Sequence, residues 1–173
     1  QRGVIRMDGR VVVAGPDTTA LTTVSGPEPL AGLRFRPGVL PRLLGVPADE
    51  LLGARVPLDH VRKVGSPSGG LTALAAALAS APPRHAQAPW SLDVLHRLTR
   101  TVAAGTPVSV VAADAGWSAR NLQRQCRAVY GYGPATLRRI LRFRRAVTLL
   151  RAGHSTAAAA TESGYADQPH LYR

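Results

Sequence analysis

One cysteine in 173 residues, Cys126, excludes an internal disulfide and fits a reducing compartment without requiring one. No run of about 18 apolar residues offers a membrane span, and no basic-then-apolar opening reads as a signal peptide. A cytoplasmic, nucleoid-associated protein is the expectation. Lysine is almost absent: Lys63 is the only one, and every other basic residue is arginine. With alanine so abundant, that usage fits a GC-rich genome and by itself proves little. The five histidines (His60, His85, His96, His154 and His170) show no metal-ligand spacing, and no serine lies in a nucleophile-elbow pattern. Residues 65–70 superficially resemble a phosphate loop, but they lack its Gly-Lys-Ser/Thr ending and follow no convincing strand. Neither catalysis nor a metal or cofactor is expected.

Acidic residues are also scarce, and unevenly so. The chain carries 22 Lys+Arg against 10 Asp+Glu, a net charge of +12. From Arg84 onward there are 13 basic and 4 acidic residues, against 9 and 6 before it. A basic C-terminal half points to a polyanion partner, because neutralising phosphates releases counterions and drives binding.

Within that half a short pattern occurs twice. Ala112, Gly116, Ser118, Leu122 and Arg124 run in the order small residue, turn glycine, helix cap, core leucine, outward arginine. Ala160, Gly164, Leu171 and Arg173 repeat the order with one extra residue after the glycine. Two helices crossing steeply need a residue no larger than alanine at position 112. Gly116 can adopt the positive φ of a tight turn, and Ser118 can cap a new helix through an amide two or three residues on. On that helix Leu122, Cys126 and Val129 form a core face, which makes Cys126 a packing residue rather than a nucleophile. Arg120, Gln123, Arg124 and Arg127 take the opposite face. Arginine matches guanine O6 and N7, and glutamine can pair with adenine, so this face carries base-reading groups; Arg127, a turn later, is placed for phosphate. The competing reading is an amphipathic surface helix with solvated arginines. Duplication of the unit and the charge distribution weigh against it.

The fold class expected is α+β. Residues 1–61 read as a small β-containing fragment, with strands at 10–14, 21–24 and about 30–36 and short helices near 39–44 and 48–52. Residues 62–89 read as a linker with one alanine-leucine helix at 71–81. An all-α unit follows: a helix capped by Ser91 with Leu92, Leu95, Leu98 and Val102 as its stripe, a first helix-turn-helix at about 107–130, a long helix at about 134–152, and a second helix-turn-helix from about 155. On the long helix Ile140, Phe143, Val147 and Leu150 share one side, and Arg138, Arg142 and Arg145 another.

Residues 90–173 resemble the DNA-binding domain of AraC/XylS-type bacterial transcription regulators. The resemblance is carried by Ser118-Ala119-Arg120-Asn121-Leu122-Gln123-Arg124, the Tyr130-Gly131-Tyr132-Gly133-Pro134 joint, and Gly164-Tyr165-Ala166-Asp167-Gln168-Pro169-His170-Leu171. It covers about half the chain. It implies two recognition helices in successive major-groove segments, roughly one turn apart. By position it assigns base reading to Arg120, Gln123 and Arg124, with Ser118 and Asn121 beside them, and to Gln168, Pro169, Tyr172 and Arg173 in the second unit. Arg127, Arg138 and Arg142 are then candidates for phosphate. Cys126, Pro169 and Leu171 depart from the family pattern, and the end at Arg173 falls partway along the second recognition helix, so a domain lacking its closing part is expected.

The segment Gly32-Leu33-Arg34-Phe35-Arg36-Pro37-Gly38 resembles the end of the sensor domain in a subset of these regulators. There Arg34 and Arg36 are candidate holders of an anionic effector, against the plainer reading of solvent-facing arginines. The partners implied are double-stranded DNA, with RNA polymerase, a small-molecule effector and a second copy of the chain as further candidates, and no membrane. Two alternatives stay open: a sensing or interaction module that does not read DNA, and a binder of polyanions by charge alone.

Overall fold

The computed structural model describes residues 3–7, 10–17, 31–64, 69–82 and 90–172. The expected strand at 21–24, residues 65–68 of the linker, His85 and Arg173 lie outside the described residues, and Tyr172 is described by its backbone alone.

Among the described residues four strands form the first part of the chain: β1 (Gly3–Met7), β2 (Arg10–Ala14), β3 (Ala31–Arg34) and β4 (Arg55–Pro57). They form an antiparallel sheet in the order β3-β1-β2-β4. Val4 and Val13, paired across β1 and β2, are buried. Against them pack Leu40 and Leu44 of α1 (Val39–Leu44), Leu58 of the single turn α2 (Leu58–Val61), and Leu74 and Leu78 of α3 (Gly70–Ser80). The alanine-leucine helix thus contributes to the N-terminal core. The helix expected at 48–52 is instead a series of turns, with Leu51 donating to Ala48 O and Leu52 to Asp49 O. Gly53, at φ 68°, then turns the chain out of the helical region.

The helical half comprises α4 (Leu92–Ala103), α5 (Val108–Asp114), α6 (Ala119–Tyr130), α7 (Pro134–Arg151), α8 (Thr156–Glu162) and α9 (Gln168–Tyr172). Ser91 caps α4 by accepting from the Val94 amide. Leu95, Leu98 and Val102 of α4 share one core with Val111 and Ala112, with Leu122, Cys126, Val129 and Tyr130, and with Leu137. Leu92 is exposed at the helix start. A second, smaller core joins Ala146 of α7 to Ala160 and Leu171. Leu137 and Ala146 are nine residues apart, so α7 carries the two cores about 13 Å apart along its axis.

The apolar side anticipated for α7 is not its packing side. Phe143 and Leu150 are exposed, while Pro134, Leu137 and Ala146 are buried. The reason is the size of Ala146: α8 approaches α7 through alanines, and a bulky side chain at the crossing would hold it off.

The N-terminal part is seated directly on the first helical core. Ala48 donates its amide to Ala128 O at 2.6 Å, Arg42 Nη1 donates to Trp90 O at 2.6 Å, and the Tyr132 hydroxyl donates to Asp17 O at 2.6 Å. Gly38 allows a close approach: a Cβ there would stand 2.7 Å from Leu95 Cδ2 and 2.9 Å from Val129 Cγ1.

Candidate nucleic-acid interface

The first unit is built by its turn. At the end of α5, Gly116 donates to Ala113 O and Trp117 to Ala112 O, at 2.9 and 2.8 Å. These two bonds satisfy orphan carbonyls of α5 and require the left-handed conformation that Gly116 holds at φ 69°. Trp117 follows and stacks on Trp90, ring centroids 5.3 Å apart, which fixes the direction in which the chain leaves the turn. Ser118 then opens α6, its hydroxyl accepting from the Asn121 amide at 3.2 Å. Ala112 is buried at the crossing, as the small-residue requirement anticipates.

The second unit repeats the two backbone bonds of the turn. Gly164, at φ 79°, donates to Thr161 O, and Tyr165 donates to Ala160 O at 2.9 Å. Ser155 caps α8 through the Ala158 amide. The extra residue places Asp167 where Ser118 stands, and its carboxylate accepts from the His170 amide at 2.7 Å. Sequence reading did not assign Asp167 this role. The signal was there: an aspartate three residues before an amide that needs a partner, ahead of the core leucine Leu171.

On α6, Arg120, Arg124 and Arg127 are exposed together on one side. Arg124 Nη2 donates to Asn121 Oδ1 at 2.9 Å, so one turn of the helix holds that guanidinium in place. Ser118 is exposed and engaged as the cap; Asn121 is half-buried. Gln123 is also half-buried, its amide resting where a side chain on Gly133 would have to go. On α9, Gln168 and Pro169 are exposed. The sequence grouped Gln123 with the outward arginines by helical spacing, which cannot register the close passage of the loop after α6.

A cleft of about 390 Å³ opens between the end of α4, the start of α5 and α7. Its walls include Val108, Val111, Arg138, Arg139 and Arg142, and no carboxylate lines it. Arg138 is exposed and lies against Gly105, where the peptide chain turns out of α4 at φ 87°. Arg142 has a different employment. Its Cζ stands 4.1 Å over the Tyr165 ring, and Nη1 donates to Gly164 O at 3.3 Å, so it clasps the turn of the second unit to α7.

Arg34 is exposed on β3. Arg36 Nη1 lies 3.3 Å from His96 Nε2 on α4, which makes it part of the contact between the two halves. Cys126 is fully buried, and burial pushes its thiol up to about 12. Among the described residues no group of three or more His, Cys, Asp or Glu is placed to hold a metal ion, and no helix is long and apolar enough to cross a membrane.

A family model described as a helix-turn-helix domain matches residues 94–173. Neither the curated proteins nor the solved structures give a match to the chain.

Proposed function

We propose that residues 94–173, which match the helix-turn-helix family model, form a DNA-binding domain of the AraC/XylS type, and that the protein reads a specific duplex sequence with α6 and α9 in successive segments of the major groove. The observation that carries this reading is the duplicated turn and cap, because in each unit the same glycine turn is followed by a side-chain-capped helix packed on a core of its own. Arg120 and Arg124 are the base readers of the first helix, with Gln123 able to join them only if its amide swings away from Gly133. Gln168 and Pro169, with Tyr172 and Arg173, take the equivalent positions in the second. Arg127, Arg138 and Arg139 contact phosphate, the last two from the cleft wall. The N-terminal half supplies control, by an effector, a second copy of the chain or RNA polymerase. Its direct seating on the first unit supports that role.

The test is selection of preferred duplexes from a random pool, followed by fluorescence anisotropy of the best against scrambled DNA at several salt concentrations. A preference of about a thousandfold or more near physiological salt is expected. Equal, steeply salt-dependent affinity for every duplex would instead identify a binder of polyanions by charge.

A further inference from the structure

The seam between the N-terminal half and the helical half is bonded at two places: at Trp90 and α4, through Arg42 and Arg36, and at the C-terminal end of α6 with the joint that follows it. The last carbonyls of a helix have no partner within it. Two of those in α6 are satisfied from opposite directions: Arg127 O accepts from Gly131 at 2.7 Å, and Ala128 O accepts from Ala48, a residue of the N-terminal half, at 2.6 Å. Gly131 itself faces that half, since a Cβ there would stand 2.5 Å from Pro16 Cγ and 3.3 Å from Ala48 O. Tyr132, the next residue, reaches Asp17 O with its hydroxyl.

The far side of this seam is anchored in the sheet. Asp17 follows β2 by three residues, and its carboxylate takes both terminal nitrogens of Arg55, the first residue of β4, at 3.0 and 2.8 Å. Gly15 donates to Ala54 O, and Gly53 donates to Pro16 O. The ends of β2 and β4 are therefore tied to one another and, through Tyr132 and Ala48, to the recognition helix. The second unit has no such tie: among the described residues no hydrogen bond joins residues 3–82 to residues 134–172.

We infer that the N-terminal half is part of the DNA reader, holding α6 by its C-terminal end through Ala48 and Tyr132, so that a shift of β2 against β4 re-aims the first recognition helix and leaves the second in place. A 12-residue helix moves as a rod, and a tilt imposed at Ala128 displaces Arg120, two turns away, by more than it displaces the seam. Base reading tolerates little displacement, because a bidentate arginine pair is set by donor geometry within fractions of an ångström. Ala48 and Tyr132 are positioning residues in this arrangement and touch no base. The inference rests on the DNA-reading proposal for its functional consequence, and on the seam alone for its mechanical one.

The test uses the full chain and two readouts. Tyr132→Phe removes the hydroxyl bond without disturbing the core, and Ala48→Pro removes the amide that serves Ala128. Native-state hydrogen exchange is expected to speed up at least about fivefold at the amides of residues 129–131 in each variant, the effect of losing one ordinary hydrogen bond. Amides of β1 and β2 and of α8 are expected to keep their rates. Binding to duplexes altered under one helix at a time is expected to show a loss confined to the segment under α6, with the segment under α9 read as before. Unchanged exchange at residues 129–131 in Tyr132→Phe, or equal acceleration in α6 and α8, overturns the inference. If the unsubstituted protein shows no sequence preference, the DNA-reading proposal fails, and the exchange rates still decide whether the N-terminal half holds α6.

Discussion

Tyr165 donates its backbone N–H to Ala160 O at 2.9 Å, the same bond, within 0.1 Å, that Trp117 makes to Ala112. Each pair brackets a glycine of positive φ, and each acceptor is a buried alanine. The two units therefore differ in what they present, not in how they turn. One presents arginines after a serine cap; the other presents glutamine and proline after an aspartate cap. On the proposed reading such a pair takes two unlike half-sites with one architecture, and an asymmetric selected duplex is expected.

The turn glycines give the first prediction. Nothing lies within 4 Å of a Cβ built on Gly116, so Gly116→Ala costs only the strain of placing alanine at φ 69°. That strain is about 1–2 kcal/mol. Gly164→Ala is expected to cost a similar amount, loosening the second unit alone. Urea denaturation measures both; a cost near zero for Gly116→Ala would mean that the turn relaxes into a different conformation.

Arg124 carries the second prediction. As a base reader it should lose about 1–3 kcal/mol at the selected duplex when replaced by alanine, with preference relaxed at one base pair. Asn121→Ala frees the guanidinium that Asn121 Oδ1 now holds, and a smaller loss in the same direction is expected. Equal losses of Arg124→Ala on selected and random DNA would make Arg124 a phosphate contact.

Most of the helical half was legible because its signals are local. Ser91, Ser118, Gly116 and Pro134 act within one turn of where they stand, and each marks the boundary it was expected to mark. What escaped depends on approach between distant segments. Helical spacing put Gln123 beside Arg120, but the passage of Gly133 decides where its amide rests. The spacing of Ile140, Phe143, Val147 and Leu150 made a clean apolar side of α7, yet packing follows the alanines through which α8 can come close. The seam between Ala48 and Ala128 left no trace in either segment, since a backbone bond carries no residue signature. The strands β1 and β4 were missed for a related reason: β1 is paired on its two sides by β3 and β2, and β4 pairs with β2, so each is set by a partner segment distant in the chain.

Arg142 tests two roles against one another. A guanidinium 4.1 Å over Tyr165 that also serves Gly164 O fastens the second unit, and Arg142→Gln should speed hydrogen exchange in residues 156–165 without DNA present. A phosphate contact predicts something else: exchange unchanged, and a salt dependence of DNA affinity reduced by about one ion. The first outcome is expected, because the guanidinium already lies on the Tyr165 ring and donates to Gly164 O within the protein.

Cys126 supplies a prediction that depends on pH. The thiol is fully buried among Leu122, Val129 and Leu137, and burial raises it from an ordinary 9.0 to about 12. In the unfolded chain it ionises above about pH 9, whereas the folded protein holds the proton until about pH 12. The folded state therefore binds more protons across that interval, and its stability must fall as pH rises, by about 1.4 kcal/mol per unit for this one group. Below pH 9 both states keep the proton and the contribution is constant. Cys126→Ala removes the titration at the cost of a small cavity, so its stability relative to the unsubstituted protein should improve steadily between pH 9 and pH 11 in urea denaturation. A difference that stays flat over that range would mean that the thiolate is accommodated in the fold, and rapid labelling of the native protein by a disulfide reagent at pH 8 would lead to the same conclusion.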